Sequence, residues 1–266
     1  MRSNRFLTVC VACVLTLGLV QGCQRGPSEE ELKLAEFQGQ FETLNQKYDA
    51  LNQTRTEIAG ATTELAELEA VPERQLTDEQ KARMDELNAT LDVLTATSEA
   101  AFEEVQSLLA DFLNVGINDY PDSAETAAAL KIYSDEAILV ALDMVAKAGD
   151  YRKAVDHLSS AEGYFAAIGL EPPVELTSTI AELDDWRYIT PERFDQITKG
   201  MTKDEVVATV GQVYFRNIQE NPDKGVETWL YKKREGGAAA IYFRMKTDKV
   251  YDKRFDAVAA TTVVAD

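Results

Sequence analysis

Apolar residues recur every three or four positions along two long stretches of the chain's first half. One stretch covers residues 37–65, with Arg55 and Thr62 in two slots where the pattern calls for apolar side chains. The other covers residues 84–112 in unbroken steps of three and four, with Ser98 in one of the slots. This spacing gathers the apolar side chains on one face of an α-helix. It predicts two helices of about 55 Å each, at about 1.5 Å per residue.

A short turn separates the two predicted helices. Val71-Pro72 ends the first helix, because proline disfavours helical geometry in the residue before it. Thr77 and Gln80 match a capping box, which predicts that the second helix begins there. So short a turn favours an antiparallel helical hairpin over residues 32–115. A coiled-coil dimer is the alternative, since it would use the same apolar stripes.

Residues 123–187 continue the helical pattern, with one helix capped by Ser123 and others following to about Trp186. The second of these helices has a glycine at its turn, an aromatic residue and small residues at helical spacing. These positions are Gly149, Tyr151, Ala154, Leu158 and Ala161. They resemble the second half of a tetratricopeptide repeat (TPR). About three repeats are normally needed to bury a core by stacking. We therefore interpret the segment as a TPR-like helical pair that continues the bundle, with a peptide-binding TPR groove as the alternative.

The pattern changes after residue 187. Two short helices are predicted, the second capped by Thr202 and ended by Gly211. Alternating apolar residues then predict strands, which we place at residues 213–219, 226–233, 238–245 and 250–255. Residues 188–258 are therefore a small domain of two helices and an antiparallel sheet, followed by a tail over 259–266. The fold class of the whole chain is predicted to be α+β.

Six residues of this small domain form a pattern. A glycine–methionine pair precedes the second helix, a valine lies in it, a glycine ends it, and two aromatic residues alternate in a strand. These residues are Gly200, Met201, Val206, Gly211, Trp229 and Tyr231. The pattern resembles the SmpA/OmlA (BamE-like) family of outer-membrane lipoproteins, and β-lactamase-inhibitor-like domains share its architecture. The resemblance implies a role in envelope assembly, whereas each of the six residues also has a packing explanation.

The first 22 residues have the parts of a secretory signal peptide. Arg2 and Arg5 precede an apolar run over residues 6–20 that is short for a membrane span. Gly22-Cys23 closes the run and resembles the end of a bacterial lipobox. An uncleaved N-terminal anchor helix is the alternative.

The lipobox resemblance implies cleavage between Gly22 and Cys23 and lipidation of Cys23. Residues 23–31 would then form an acylated polar linker. The mature protein would be lipid-anchored in the cell envelope, at the periplasmic side of the outer membrane if the host has two membranes. Its expected partners are the membrane, through the lipid on Cys23, and other envelope proteins.

Composition narrows the possible chemistry. The chain has 27 basic and 46 acidic residues, a formal net charge of −19, which argues against nucleic acid as a partner. All three cysteines lie within the first 23 residues, and His157, predicted to be exposed on a polar helix face, is the only histidine. These counts leave few histidine or cysteine ligands for a metal site. Sequence motifs of hydrolases, phosphate loops and EF-hands are also missing.

We therefore expect a non-enzymatic, membrane-anchored envelope lipoprotein that acts as a scaffold for protein–protein interactions, without a metal or cofactor. Outer-membrane assembly or maintenance is the implied setting. The alternative is an inhibitor-like or ligand-binding module that uses the C-terminal sheet face. That alternative requires aromatic residues exposed on the sheet, for which the sequence offers Tyr214, Tyr242 and Tyr251.

Overall fold

The computed structural model describes residues 27–259. The signal peptide, Gly22, Cys23 and all but the first residue of the predicted tail lie outside the described residues. The α+β class is confirmed: helices come first and an antiparallel sheet follows. The helices are α1 (Glu29–Glu69), α2 (Asp78–Asp119), α3 (Ala124–Ala148), α4 (Tyr151–Ala167), α5 (Val174–Trp186), α6 (Pro191–Asp195) and α7 (Lys203–Val210). The strands are β1 (Ile218–Asn221), β2 (Val226–Lys232), β3 (Ala238–Arg244) and β4 (Lys249–Val258).

Helices α1 and α2 form the antiparallel hairpin that the heptad pattern predicts. Ion pairs join them at Lys47–Glu104, 2.9 Å, and nearer the turn at Glu64–Arg83, 2.7 Å. The capping box at Thr77 is present, with its hydroxyl accepting from the backbone N–H of Gln80.

Two boundaries of the hairpin differ from the prediction. Helix α1 begins at Glu29, not after residue 31, because Ser28 and Glu31 form a capping box of their own. Helix α2 continues to Asp119, beyond residue 115, where the predicted hairpin ends. Gly116 lies inside the helix, where Thr126 packs against its backbone: a Cβ at this position would be 2.6 Å from the Thr126 hydroxyl.

Helix α3 packs against the base of the hairpin, α4 and α5 pack on α3, and all of them share one apolar core. Phe37 stacks on Phe112 and on Tyr120, with ring centroids 4.5 and 4.4 Å apart. The off-pattern Arg55 is explained by α3. Its guanidinium donates two hydrogen bonds, of 2.6 and 2.8 Å, to the carboxylate of Glu136, which is only 3% exposed.

The small domain has a four-stranded sheet in the order β1-β2-β3-β4, with α6 and α7 packed against one face. We call this the inner face of the sheet and the opposite side the outer face. The predicted strand at 213–219 is wrong. Residues 215–217 form a 3-10 turn instead, and β1 begins only at Ile218. The register of β3 and β4 shifts between Tyr242 and Phe243, which marks a β-bulge at Tyr251.

Candidate functional site

The glycines and apolar residues of the family-like pattern have structural roles. Gly200 donates its N–H to the carbonyl of Val250, and Met201 accepts from the N–H of the same residue, both at 2.8 Å. These bonds tie the loop before α7 to β4. Val206 is fully buried in the core of the small domain. Gly211 ends α7 with a φ of 85°, a conformation that favours glycine.

The two aromatic residues of the pattern are buried on the inner face of β2. The indole N–H of Trp229 donates to the Glu227 carboxylate at 2.5 Å, and the Tyr231 hydroxyl donates to the carbonyl of Gly211 at 3.1 Å. Burial raises the pKa of Tyr231 well above its ordinary value. The structure thus brings Gly211 and Tyr231 into contact, through a bond that fixes α7 on the sheet.

An ion-pair cluster that sequence reasoning missed lies beside Trp229. Glu227 is 8% exposed and accepts from the ammonium of Lys203 at 2.8 Å, and Lys203 also pairs with Asp248 at 2.9 Å. Although burial opposes it, hydrogen bonds to the two carboxylates raise the pKa of Lys203. The buried charge is therefore compensated, and the cluster holds α7 against β2 rather than offering an acid or base to a substrate.

The helical region and the small domain are joined by specific contacts. The backbone N–H of Gln212 donates to the Tyr151 hydroxyl at 3.0 Å. The guanidinium of Arg193 pairs with Asp185 at 2.8 Å and lies 4.5 Å from the ring centroid of Trp186. These contacts connect α4 and α5 to the segments on either side of α7, so the two regions share a polar and aromatic junction.

The outer face of the sheet carries half-exposed aromatic residues. Tyr242 and Tyr251 have ring centroids 6.1 Å apart, and the Arg244 guanidinium lies 4.2 Å from the Tyr251 centroid. Tyr251 lies on the same side of the sheet as Tyr242, whereas the neighbouring residues Val250 and Phe243 are buried in the core beneath the helices. Tyr214, which packs edge-on against Phe215, is also half-exposed. The aromatic residues proposed for a ligand-binding face are thus not buried against α6 and α7.

Part of the hairpin extends beyond the helical core. We call residues 56–100 the arm, because none of its apolar residues belongs to the core that the hairpin base shares with α3–α5. Within these residues Leu87 alone is buried, whereas the rest of the apolar stripe is half-exposed, including Ile58, Leu65 and Leu94. Val93 is 66% exposed.

Charge is divided unevenly between the two regions. Residues 27–187 contain 34 acidic and 11 basic residues, a net charge of −23. Residues 188–259 contain 11 acidic and 13 basic residues, a net charge of +2. The arm itself has 11 acidic and 3 basic residues. The acidity of the chain therefore belongs to the helices, and the sheet domain is close to neutral.

The prediction of an exposed His157 is wrong, since its side chain is half-buried. Its Nε2 is buried and accepts or donates no hydrogen bond among the described residues. Burial, and then the nearby charge of Lys153, lower its pKa below the ordinary 6.5.

We therefore expect the protein to lose stability as the pH falls through 6.5 towards the pKa of folded His157. Over that window the unfolded state binds more protons than the folded state, so acidification favours unfolding. Because the chain has one histidine, its ring C–H signal in an NMR pH titration reports this pKa directly. A midpoint at or above 6.5 would contradict the prediction, and His157→Gln is the control that should flatten this part of the stability curve.

Among residues 27–259, no cluster of three or more histidine, cysteine, aspartate or glutamate side chains is arranged to hold a metal ion. No helix in that range has both the length and the apolar character that a bilayer span requires. Comparison with known proteins gives no match to a family, to a curated protein or to a solved structure.

Proposed function

We propose that this protein is a lipid-anchored envelope lipoprotein that acts as a non-enzymatic scaffold, with the arm as its main protein-binding surface. The arm is the observation that carries the proposal. The helical part of α1 within the arm, residues 56–69, extends for about 21 Å at about 1.5 Å per residue. The apolar stripe of this part of α1 packs only against α2. The apolar side chains on both sides of the α1–α2 contact therefore remain accessible to a partner.

Energetics support a binding role for the arm. Two helices alone cover each other's apolar stripes incompletely. A partner that covers the remaining apolar surface contributes about 25 cal/mol of favourable binding free energy for each Å² removed from water. The acidic excess of the arm favours partners with basic residues next to their apolar ones. Like charge on two copies of the arm opposes self-association along this surface.

Site-specific photocrosslinking tests the role of the arm. A photoreactive residue in place of Val93, on the arm, should give discrete adducts with envelope proteins in intact cells. The matched control is Val174, which is 74% exposed at the start of α5 and lies outside the arm. The same adducts at both positions, or none at Val93, would count against the proposal.

The anchor rests on the sequence of the first 23 residues and has its own test. Metabolic labelling with an alkyne fatty acid should mark the wild-type protein, and Cys23→Ser should abolish both the label and the membrane association. Mass spectrometry of the mature N-terminus should find acylated Cys23. An unmodified Cys23 with residues 1–22 still attached would support an uncleaved anchor helix instead.

A second candidate function, a ligand-binding or inhibitor-like module, is favoured by the outer face of the sheet. Tyr242, Tyr251 and Arg244 form a half-exposed aromatic and cationic group there, and the bulge that orients Tyr251 is typical of strands that present a side chain. If a ligand binds at this face, replacing Tyr242 and Tyr251 by serine should abolish its binding. The crosslinked adducts formed at Val93 on the arm should be unchanged.

A further inference from the structure

An open apolar groove lies between α3, α5 and α7. Helices α3 and α5 pack more closely on α4 than on each other, and α7 closes one end of the space between them. The groove has a volume of about 480 Å³, within the range of about 300–1,000 Å³ that is typical of binding clefts. Its apolar lining comes from all three helices and includes Leu142, Ala146, Leu183, Trp186, Val207 and Ala208.

Large apolar side chains at this groove are left uncovered. Leu142 is 46% exposed, and Leu139, three residues earlier on the same face of α3, is exposed to the same extent. Trp186 and Val207 are half-buried. Apolar side chains that cluster in this way on a surface are typical of an interaction site, whereas single exposed ones are common everywhere.

The rim of the groove is acidic. Helices α3, α5 and α7 contain four, four and two acidic residues, but only two, none and one basic residues. Glu182 and Asp204 are exposed and lie one helical turn from Trp186 and Ala208. All three lysines of these helices already pair with carboxylates of the protein, as Lys131–Asp135, Lys147–Asp143 and Lys203–Glu227. The rim therefore attracts a basic partner and repels the acidic helices of a second copy.

The backbone of the groove favours a helical occupant. Its walls are helices, whose N–H and C=O groups are bonded internally, so they offer no strand edge to an extended peptide. Just past α7, the N–H of Gln212 donates to the Tyr151 hydroxyl, and the carbonyl of Gly211 accepts from the Tyr231 hydroxyl. An occupant that leaves water here must satisfy its own backbone groups, as an α-helix does.

We propose that this groove binds an amphipathic α-helix of a partner protein, with apolar anchors in the groove and lysine or arginine side chains at the rim. From Leu139 to Ala146, α3 extends for about 10 Å at about 1.5 Å per residue. A bound helix covers the same length with anchors at positions i, i+4 and i+7, the spacing found in helices that bind apolar grooves.

This site is separate from the arm and from the lipid anchor. The groove is formed by residues 139–211, whereas the arm covers residues 56–100. Failure of the crosslinking at Val93 would leave the groove proposal standing, and failure of the groove proposal would leave the arm as a binding surface.

The two tryptophans of the chain provide an internal readout of binding. Trp186 lines the groove, whereas Trp229 is buried in the sheet core. The full chain in detergent micelles is titrated with the blocked peptide Lys-Leu-Ala-Lys-Leu-Leu-Ala-Lys-Leu-Ala-Lys-Leu-Leu-Lys, and the two indole N–H signals are followed by NMR. We expect the Trp186 signal to shift to saturation and the Trp229 signal to stay in place.

Two matched peptides test the chemistry of the occupant. Replacing every lysine by glutamate keeps the apolar stripe and reverses the charge, and this peptide should leave the Trp186 signal unmoved. Replacing the central alanine by proline keeps the charge and breaks the helix, and this peptide should also have no effect. Equal binding of the glutamate peptide would overturn the assignment to a basic partner, and equal binding of the proline peptide would overturn the assignment to a helix.

Variants of the protein locate the site, and uptake of peptide by the micelles affects all of them alike. Leu142→Ser should weaken binding of the lysine peptide about tenfold, as expected when an apolar anchor contact is lost. Glu182→Gln should weaken it about threefold. The control is Val174→Ser, at the start of α5 and about 14 Å along the helix from Leu183, which should leave binding unchanged. An unmoved Trp186 signal with the wild type, or equal loss in Leu142→Ser and Val174→Ser, would overturn the proposal.

Discussion

Replacing Arg55 by methionine is expected to lower the free energy of unfolding by about 3 kcal/mol, because it leaves the Glu136 carboxylate buried without its cation. Glu136 is 3% exposed and accepts both of its strong hydrogen bonds from this guanidinium. Arg55 itself is 28% exposed, so water entering the vacated space moderates the loss, and we expect the lower end of the range for broken buried pairs. Urea unfolding followed by circular dichroism measures the change.

A double replacement separates the ion pair from the packing around it. Arg55→Met combined with Glu136→Met should recover most of the lost stability, since a well-packed apolar pair can replace a buried ion pair at little cost. The control is Arg83→Met, which breaks the pair with Glu64 on the exposed arm and should lower the stability much less, because water solvates both charges. Equal losses for Arg55→Met and Arg83→Met would show that Glu136 is not desolvated as described.

The helical half of the fold could be predicted because its signals are local. Apolar periodicity and a turn closed by Pro72 and Thr77 are sufficient for a hairpin, and the caps lie within four residues of what they cap. Arg55 was visible as an interruption of the stripe. The role of Arg55 could not be predicted, because its partner, Glu136, is 81 positions away on α3.

Features that depend on tertiary contacts could not be predicted in this way. Helix α2 continues past residue 115 to Asp119, with Thr126 packed against Gly116. Residues 213–219 have the alternation of a strand, although a 3-10 turn occupies residues 215–217. The cavity between the helices and the sheet is harder still to predict, since Arg152, Arg187 and Lys232, which line it, share no motif. Only the packing of α4, α5 and β2 brings them together.

The family-like pattern illustrates a related limit. Gly211 and Tyr231 were recognisable as a glycine at a helix end and an aromatic residue in a strand. What joins them is a hydrogen bond between the helix end and the sheet, and Tyr151 of the helical region packs on the same glycine. Residues chosen by resemblance to a small domain therefore also fix that domain to the helices.

Gly149→Ala is expected to destabilise the protein by about 3 kcal/mol or more and to loosen the sheet domain from the helices. Gly149 has a φ of 65°, where an L side chain costs about 1 kcal/mol. In addition, a Cβ there would meet the carbonyl oxygen of Val213, at 2.2 Å, so the connection between α7 and β1 must move. Overpacking of this kind typically adds about 1–3 kcal/mol.

Gly169→Ala separates the two contributions of Gly149. Gly169 follows α4 with a φ of 73°, and nothing lies within 4 Å of a Cβ placed there, so this variant should cost only the backbone term of about 1 kcal/mol. Hydrogen exchange distinguishes the two variants by location. Gly149→Ala should accelerate exchange of the Gln212 N–H, which is bonded to the Tyr151 hydroxyl, and Gly169→Ala should not. Equal unfolding losses and unchanged exchange at Gln212 would mean that the junction tolerates the added methyl group, and that its close packing does not hold the sheet domain against α4.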